Sequence, residues 1–320
     1  MDYGAMLKAV KIAHQKSGKN RIGLFYDMVR CGFAYGCGYT DYNCFAFYQL
    51  TPQQKATYIT RKGQNEIVAH FNNKEYYPYF INKELFNETF HAFMQRSYLN
   101  LQKASPDDFA TFLAGRANFI AKPIDGMCGQ GVEKIKVTKT TDAASLYDQL
   151  KSKNLCLVEE TIQQHAAISA IYPHSVNTVR IMTIVDGDHA DIIFACLRMG
   201  SGQSVVDNMV AGGMCALIDI PTGIISKPAA NLKTEVFYEH PDTKHVFVGT
   251  PIPHFDLVKK TVQKAAMLVP QIRYVGWDVA ITPDGVELIE GNEFPCHQLM
   301  QSPFHLENGI GMLPTVKKYW

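Results

Sequence analysis

Hydrophobic positions along the chain switch between two spacings. In residues 83–101, Leu85, Phe86, Phe90, Phe93 and Met94 recur at helical intervals, which predicts a helix from Lys83 to about Leu101. A second helix is predicted at Ser105-Pro106-Asp107-Asp108, with Ser as cap, Pro at the first helical position and acids where the helix dipole favours them. Strand spacing follows in NFIAKP and VEKIKVT, on either side of a glycine-rich loop. Asp142–Leu150 reads as a helix and LCLVEE as a strand. TVRIMTIV and ADIIFACLRM read as long strands joined by Asp186-Gly187-Asp188, a hairpin turn signal. The polar loop GSGQSVVDNMVAGG precedes the strand MCALIDI, and FDLVKKTVQKAAMLV after His254 reads as a helix. YVGWDVAIT and VELIEGNEFP make a last hairpin around Pro283-Asp284-Gly285. Before residue 80 the pattern is aromatic and irregular (CGFAYGCGYTDYNCFAFYQL), with a helix expected over Met1–Lys16 and a short one capped by Thr51-Pro52. Mixed helices and hairpins indicate an α+β fold with antiparallel sheets, not a doubly wound parallel one.

Composition narrows the class. The chain has 320 residues, enough for one large domain or two to three subdomains. Hydrophobic residues make up 47% and charged residues 19%, which excludes a mainly disordered chain. Lys and Arg number 31 against 30 acids, a net charge of +1 that argues against nucleic acid as a partner. No apolar run approaches the ~20 residues of a membrane span, and MDYGAMLKAVKIAHQK lacks a signal-peptide core, so a cytoplasmic chain is expected. The eight cysteines show no C-x-x-C spacing and read as mostly buried thiols; a zinc site from Cys31, Cys37 and Cys44 has the wrong spacing for a knuckle.

Three constellations carry candidate chemistry. Lys122 ends one strand, and the loop Asp125-Gly126-Met127-Cys128-Gly129-Gln130-Gly131 follows. Glycines let backbone amides turn toward an anion, and the lysine adds a point charge for phosphate. The bland alternative is a glycine-rich hairpin with a solvated lysine. Near the C-terminus, Glu290 and Asn292 lie two residues apart and so share one strand face, and Asp278 on the neighbouring strand can join them. Two carboxylates and an amide oxygen suit Mg²⁺; a solvated polar face is the alternative. Arg180 and Arg198, on consecutive strands, offer forks for phosphate or carboxylate, or else form surface ion pairs.

The order of these pieces resembles the ATP-grasp superfamily, and most of all its sugar-transfer-associated branch, with features shared by the α-L-glutamate ligases. The resemblance rests on AKPIDGMCGQGV, LVEETI, HSVNTVRIMTIV, DNMVAGG and GWDVAITPDGVELIEGN, spanning roughly Lys83 to His297. YTDYNCFAFYQLT also looks like the lead-in of that branch, less specifically. The resemblance implies an α+β ATP-grasp fold, in which two subdomains clamp ATP, with an atypical aromatic-rich N-terminal segment. It divides the chain into a supporting helical segment (1–80), a subdomain with the phosphate-lid loop (81–163) and one with the metal and catalytic residues (164–320). Lys83 and Lys122 would reach the nucleotide phosphates, Gly126, Gly129 and Gly131 would form the lid, and Glu159 or Glu160 would reach adenine or ribose. Asp278, Glu290 and Asn292 would bind two Mg²⁺ ions, with Mn²⁺ able to substitute. Arg180, Arg198 and Asn208 would face the transferred phosphoryl group.

The implied activity is ATP-dependent ligation of a small-molecule carboxylate to an amine through an acyl-phosphate, as in polysaccharide modification or secondary metabolism. An ATP-grasp kinase, or a non-catalytic nucleotide-binding partner of a glycosyltransferase, are the alternatives. Two departures leave the substrate open: residues 1–80 lack the Rossmann-like subdomain of many such ligases, and the lid reads G-M-C-G-Q-G. His297, close behind the metal strand, is a candidate for the acceptor site; structural hydrogen bonding is its alternative role.

Overall fold

Two antiparallel sheets organise the chain in a computed structural model that describes residues 3–125, 131–204, 207, 209 and 212–320. The smaller contains β1 (Tyr98–Asn100), β2 (Asn118–Lys122), β3 (Glu133–Lys136) and β4 (Leu157–Glu160), in the order β1-β4-β2-β3. The larger contains β5 (Thr178–Asp186), β6 (His189–Met199), β7 (Met214–Asp219), β8 (Ile224–Ala230), β9 (Val236–Phe237), β10 (Tyr274–Thr282) and β11 (Gly285–Asn292), in the order β11-β10-β5-β6-β7-β8-β9. Every pairing is antiparallel, as the hairpin-rich sequence predicts.

Alternation along the strands sends side chains to two different layers. On one face of the larger sheet, Val275, Trp277, Val279 and Ile281 pack with Val258, Val262 and Ala265 of the helix Phe255–Ala266. Phe80, Phe86 and Phe90 join this core. On the other face, Tyr274, Met182, Ile184 and Cys196 pack against Ile59, Ile67, Val68 and Phe71 of the N-terminal segment and Leu299, Met300 and Val316 of the C-terminal one. Each fully buried side chain of this size contributes about 1.5–3 kcal/mol. Residues 59–71 and 299–316 therefore belong to the layer covering one half of that second face. The other half carries Arg180, Arg198 and Asp278, which share the parity of Met182, Cys196 and Tyr274. Asn72 fixes the N-terminal segment there: its Nδ2 donates to Tyr274 O (2.8 Å) and Glu293 O (2.7 Å), and its Oδ1 accepts from Tyr274 N (2.8 Å).

The first helices, Tyr3–Ser17, Arg21–Tyr35 and Tyr39–Cys44, build a core of their own around Met6, Val10, Leu24, Met28, Tyr42 and Phe47. The expected caps form at Thr51 and Ser105, and each closes into a capping box, Thr51 with Gln54 and Ser105 with Asp108. The single helix expected over Lys83–Leu101 does not. It runs Lys83–Thr89, continues as a 3-10 turn at His91–Phe93, and opens into β1. Tertiary pairing overrides the periodicity here. Phe86 and Phe90 reach the Trp277 core, after which the backbone must turn so that Ser97 O can accept from Glu160 N (2.9 Å) at the sheet edge. Phe80, Phe86 and Phe90 consequently pack on the larger sheet while Lys83 and Asn87 bond the smaller, so this segment joins the two, although the sequence division groups 81 onward with the smaller one. The described cysteines are all free; six are buried and Cys296 is exposed.

Candidate active site

The smaller sheet brings two lysines to the cleft. Lys122, at the end of β2, is nearly buried, and its Nζ lies 2.8 Å from Glu159 Oε2 on β4. Glu159 pairs with Ile120, so it shares a sheet face with Lys122 and meets it diagonally. Lys83 begins its helix beneath the Asn82 cap, and its backbone N donates to Ile124 O (3.1 Å) just beyond β2. Burial lowers the Lys83 pKa and nearby Lys122 lowers it further, against opposing pulls from Glu290, Asp125 and Glu159. Gly131 has φ +72, and a Cβ on it would come 3.0 Å from Pro123 Cγ, so this end of the loop needs glycine on two counts. Gly126, Gly129 and Asn208 lie outside the described residues.

The larger sheet aligns its charges in one row. Register places Arg180 on β5 opposite Asp278 on β10, and Asp278 opposite Glu290 on β11. The last pairing depends on a shift: Val279 faces Leu288 while Asp278 faces Glu290, so Ile289 is an extra residue on β11. Leu288 points into the Trp277 core, and without the bulge Glu290, two residues on, would follow it there. Asp278 is buried and accepts from both arginines. Arg180 Nε and Nη2 donate to its Oδ1 (2.5 Å) and Oδ2 (2.7 Å), and Arg198 Nη1 reaches both oxygens (3.0 and 2.9 Å). Burial acts to raise the Asp278 pKa, but the two arginines outweigh it and hold the carboxyl far below the usual range. Glu290 opens to solvent at the cleft. Crowding by the surrounding protein, and then the Asp278 charge, raise its pKa above the usual carboxylate value. Asn292 Nδ2 donates to Gly276 O (3.2 Å) and Glu290 Oε1 (3.4 Å).

Residues 53–319 match the family described as sugar-transfer associated ATP-grasp. The chain belongs to this family. No curated protein matches it. Among solved structures, ATP-grasp ligase PsnB complexed with minimal precursor, Mg and ADP shares 15% identity, with 78% of this chain and 60% of that chain covered, at a TM-score of 0.44. D-alanyl-alanine synthetase A from Vibrio cholerae shares 11% identity over 75% of this chain and 65% of that one, at 0.42. D-alanine-D-alanine ligase from Helicobacter pylori shares 12% over 75% and 58%, at 0.41. This chain therefore spans about 60% of the length of PsnB, and none of these likenesses transfers a residue's role.

In this sugar-transfer associated ATP-grasp protein, several expected roles sit differently in the geometry. Glu159 is buried and saturated: Oε1 accepts from Asn87 Nδ2 (2.9 Å), and Oε2 from Arg96 Nε (3.0 Å) and Lys122. It holds a lysine in place rather than presenting a free carboxylate to a nucleoside. Glu160 points to the other sheet face, where Oε2 accepts from Ser97 Oγ (3.0 Å) and lies 3.7 Å from Arg116. His297 is 1% exposed, lies 3.1 Å from Asp41 Oδ1, and packs edge-on to Phe45. That burial closes it to a substrate and makes it a tie between the loop after β11 and the N-terminal core.

Sequence reasoning missed two residues. Asp207 accepts from Arg198 Nη2 (2.7 Å), from Thr178 N (3.1 Å) and from Thr178 Oγ1, which ties Asp207 to the arginine row. It stood beside the chosen Asn208 inside a quoted motif, and its type alone gave no reason to prefer it. Arg96 had no pattern around it at all. No helix among the described residues is long and apolar enough to cross a membrane.

The donor set fits a hard cation at its outer end. Glu290 is solvent-open and crowded by a like charge, which a divalent ion relieves, and the Asn292 amide adjoins it. Asp278 fits less well, because two arginines already fill its acceptor positions. Among the described residues no three His, Cys, Asp or Glu side chains form a metal cage.

Proposed function

We propose that the chain is an ATP-dependent ligase that activates a substrate carboxylate as an acyl-phosphate and joins it to an amine. The observation carrying this reading is that Arg96 joins Glu159, the carboxylate that holds Lys122 on the smaller sheet, to Glu287 on β11 of the larger sheet, the strand that carries Glu290. Lys122 of one sheet is thereby tied to the strand whose Glu290 lies in register with Asp278 and Arg180. Phosphoryl transfer needs this arrangement, because it runs on positioning and charge neutralisation more than on a protein nucleophile.

In the proposed reaction a carboxylate oxygen attacks the γ-phosphorus, the β–γ bridging bond breaks, and ADP leaves. The amine nitrogen then attacks the acyl carbon, phosphate departs with the bonding pair, and the nitrogen loses a proton to solvent. Lys83 and Lys122 would hold the nucleotide phosphates. Arg180 and Arg198, held on Asp278 and Asp207, would turn their remaining donors to the transferred group. Mg²⁺, when bound at Glu290 and Asn292, would neutralise phosphate charge. Closure of the cleft would keep water from the acyl-phosphate.

The test is ADP release from purified protein across carboxylate and amine libraries. Release that requires both, with an amide as product, supports the reading. Release with an alcohol alone, and a stable phosphate ester, replaces it with a kinase. The activity would take place with small molecules; Mn²⁺ in place of Mg²⁺ is a convenient control.

A further inference from the structure

One buried arginine connects the two walls of the cleft. Arg96 lies between the 3-10 turn His91–Phe93 and β1, with a side chain 2% exposed. Its Nη1 donates to Glu287 Oε1 (2.8 Å) and to Leu288 O (2.9 Å), and its Nη2 to Ile289 O (3.5 Å). Its backbone N also donates to Glu287 Oε1 (3.0 Å). These partners lie on β11; Leu288 precedes the bulge and Ile289 is the bulged residue, and the bulge turns Glu290 into the cleft. At the other edge of the guanidinium, Nε donates to Glu159 Oε2, the oxygen that also holds Lys122 Nζ.

A purely stabilising role explains this poorly. Taking one arginine and two carboxylates out of water costs several kcal/mol per ion, and well-packed apolar residues commonly serve as well. The network does something an apolar cluster cannot: it fixes a polar side chain of the smaller sheet relative to the backbone of one strand of the larger. Arginine's rigid fork sets both distance and angle, where a lysine would offer a swivelling point charge.

We propose that Arg96 is a positioning residue that, through Glu159, sets the Lys122 ammonium at a fixed place relative to the Glu290 strand. The nucleotide part of this inference rests on the ATP reading above. Arg96 touches no reacting atom; its effect is exerted through Lys122.

The test uses the full chain and two readouts. The first is labelling of Lys122 by an amine-reactive reagent, followed by mass spectrometry, which needs no nucleotide. Arg96→Lys and Glu159→Gln are expected to raise the Lys122 labelling rate several-fold while distant lysines such as Lys139 keep theirs. The second is ADP affinity by calorimetry. Arg96→Lys is expected to weaken it about tenfold, the scale of one charged hydrogen bond. Lys122→Met should weaken it at least as much, and the double variant no further. If Arg96→Lys does not fold, Glu287→Gln, which loosens only the far end of the fork, is expected to raise Lys122 labelling instead. A folded Arg96 or Glu287 variant with unchanged Lys122 labelling overturns the inference, as does an additive loss of ADP affinity in the double variant. A wild-type chain that binds no ADP removes the ATP reading, while labelling still decides the role of Arg96.

Discussion

Arg180 and Asp278 face one another on adjacent strands and meet as a fork on a carboxylate, at 2.5 and 2.7 Å, with Arg198 closing on the same carboxylate from the next strand. This makes Asp278 the counter-ion of two buried cations. Removing its charge leaves Arg180 without its counter-ion and Arg198 with Asp207 alone, an error that typically costs about 3–5 kcal/mol. Asp278→Asn is therefore expected to lower the unfolding free energy by that order, as read from denaturant midpoints. A variant as stable as wild type means the arginines are held by other groups.

Glu290 offers the cleaner probe of the cation. Its side chain opens to solvent and no arginine holds it in the described contacts. At pH 7 Glu290→Gln should melt at or slightly above the wild-type temperature, because a carboxyl whose pKa is raised costs stability once ionised, but lose activity by about 100-fold or more, since even indirect partners of a metal are worth about 10–100-fold. The Mg²⁺ concentration needed for half-maximal ADP release should rise. Unchanged Mg²⁺ dependence in an active variant removes Glu290 from the metal set.

Gly291 separates Glu290 from Asn292 for a steric reason. A Cβ there would lie 2.9 Å from Phe80 Cδ1, Phe80 Cε1 and Trp277 Cζ3. Gly291→Ala must push β11 or the aromatic core, at a cost of about 1–3 kcal/mol, and should reduce activity by displacing both neighbours. A fully stable and active Gly291→Ala chain shows that the core yields more easily than its packing suggests.

Asp41 gives the fold a defined acid sensitivity. Burial works to raise its carboxyl pKa, but His297, Gln298 and the Arg61 backbone amide outweigh that and hold it below the usual value. A depressed carboxylate stabilises the fold above its unfolded pKa of about 3.9 and loses that contribution as pH falls through the lower folded value. Asp41→Asn should melt below wild type at pH 7, with the gap narrowing under about pH 4. A gap independent of pH would assign the loss to shape rather than charge.

Much of this site was legible in the sequence because it sits on regular strands. Lys122 at the end of NFIAK, the arginines on TVRIM and CLRM, and Asp278 on GWDVAI follow from period-two alternation and hairpin turns. Those rules are local, and they also give the capped helices and the antiparallel sheets.

The remainder depended on contacts between distant segments. Alternation counted from Leu288 would bury Glu290; a bulge at Ile289, visible only once β10 is paired beside β11, turns it to the cleft. Periodicity extended a helix through Arg96, whereas pairing with β4 and the grip of Glu287 ended it early. Spacing placed His297 near the metal strand, but only packing against Asp41 from the far end of the chain shows that it is buried. The sequence by itself determined which strands carry the charges, because backbone geometry repeats every two residues. The tertiary structure decided which charges meet, because a bulge or a buried ion pair is set by a partner strand that local sequence does not specify.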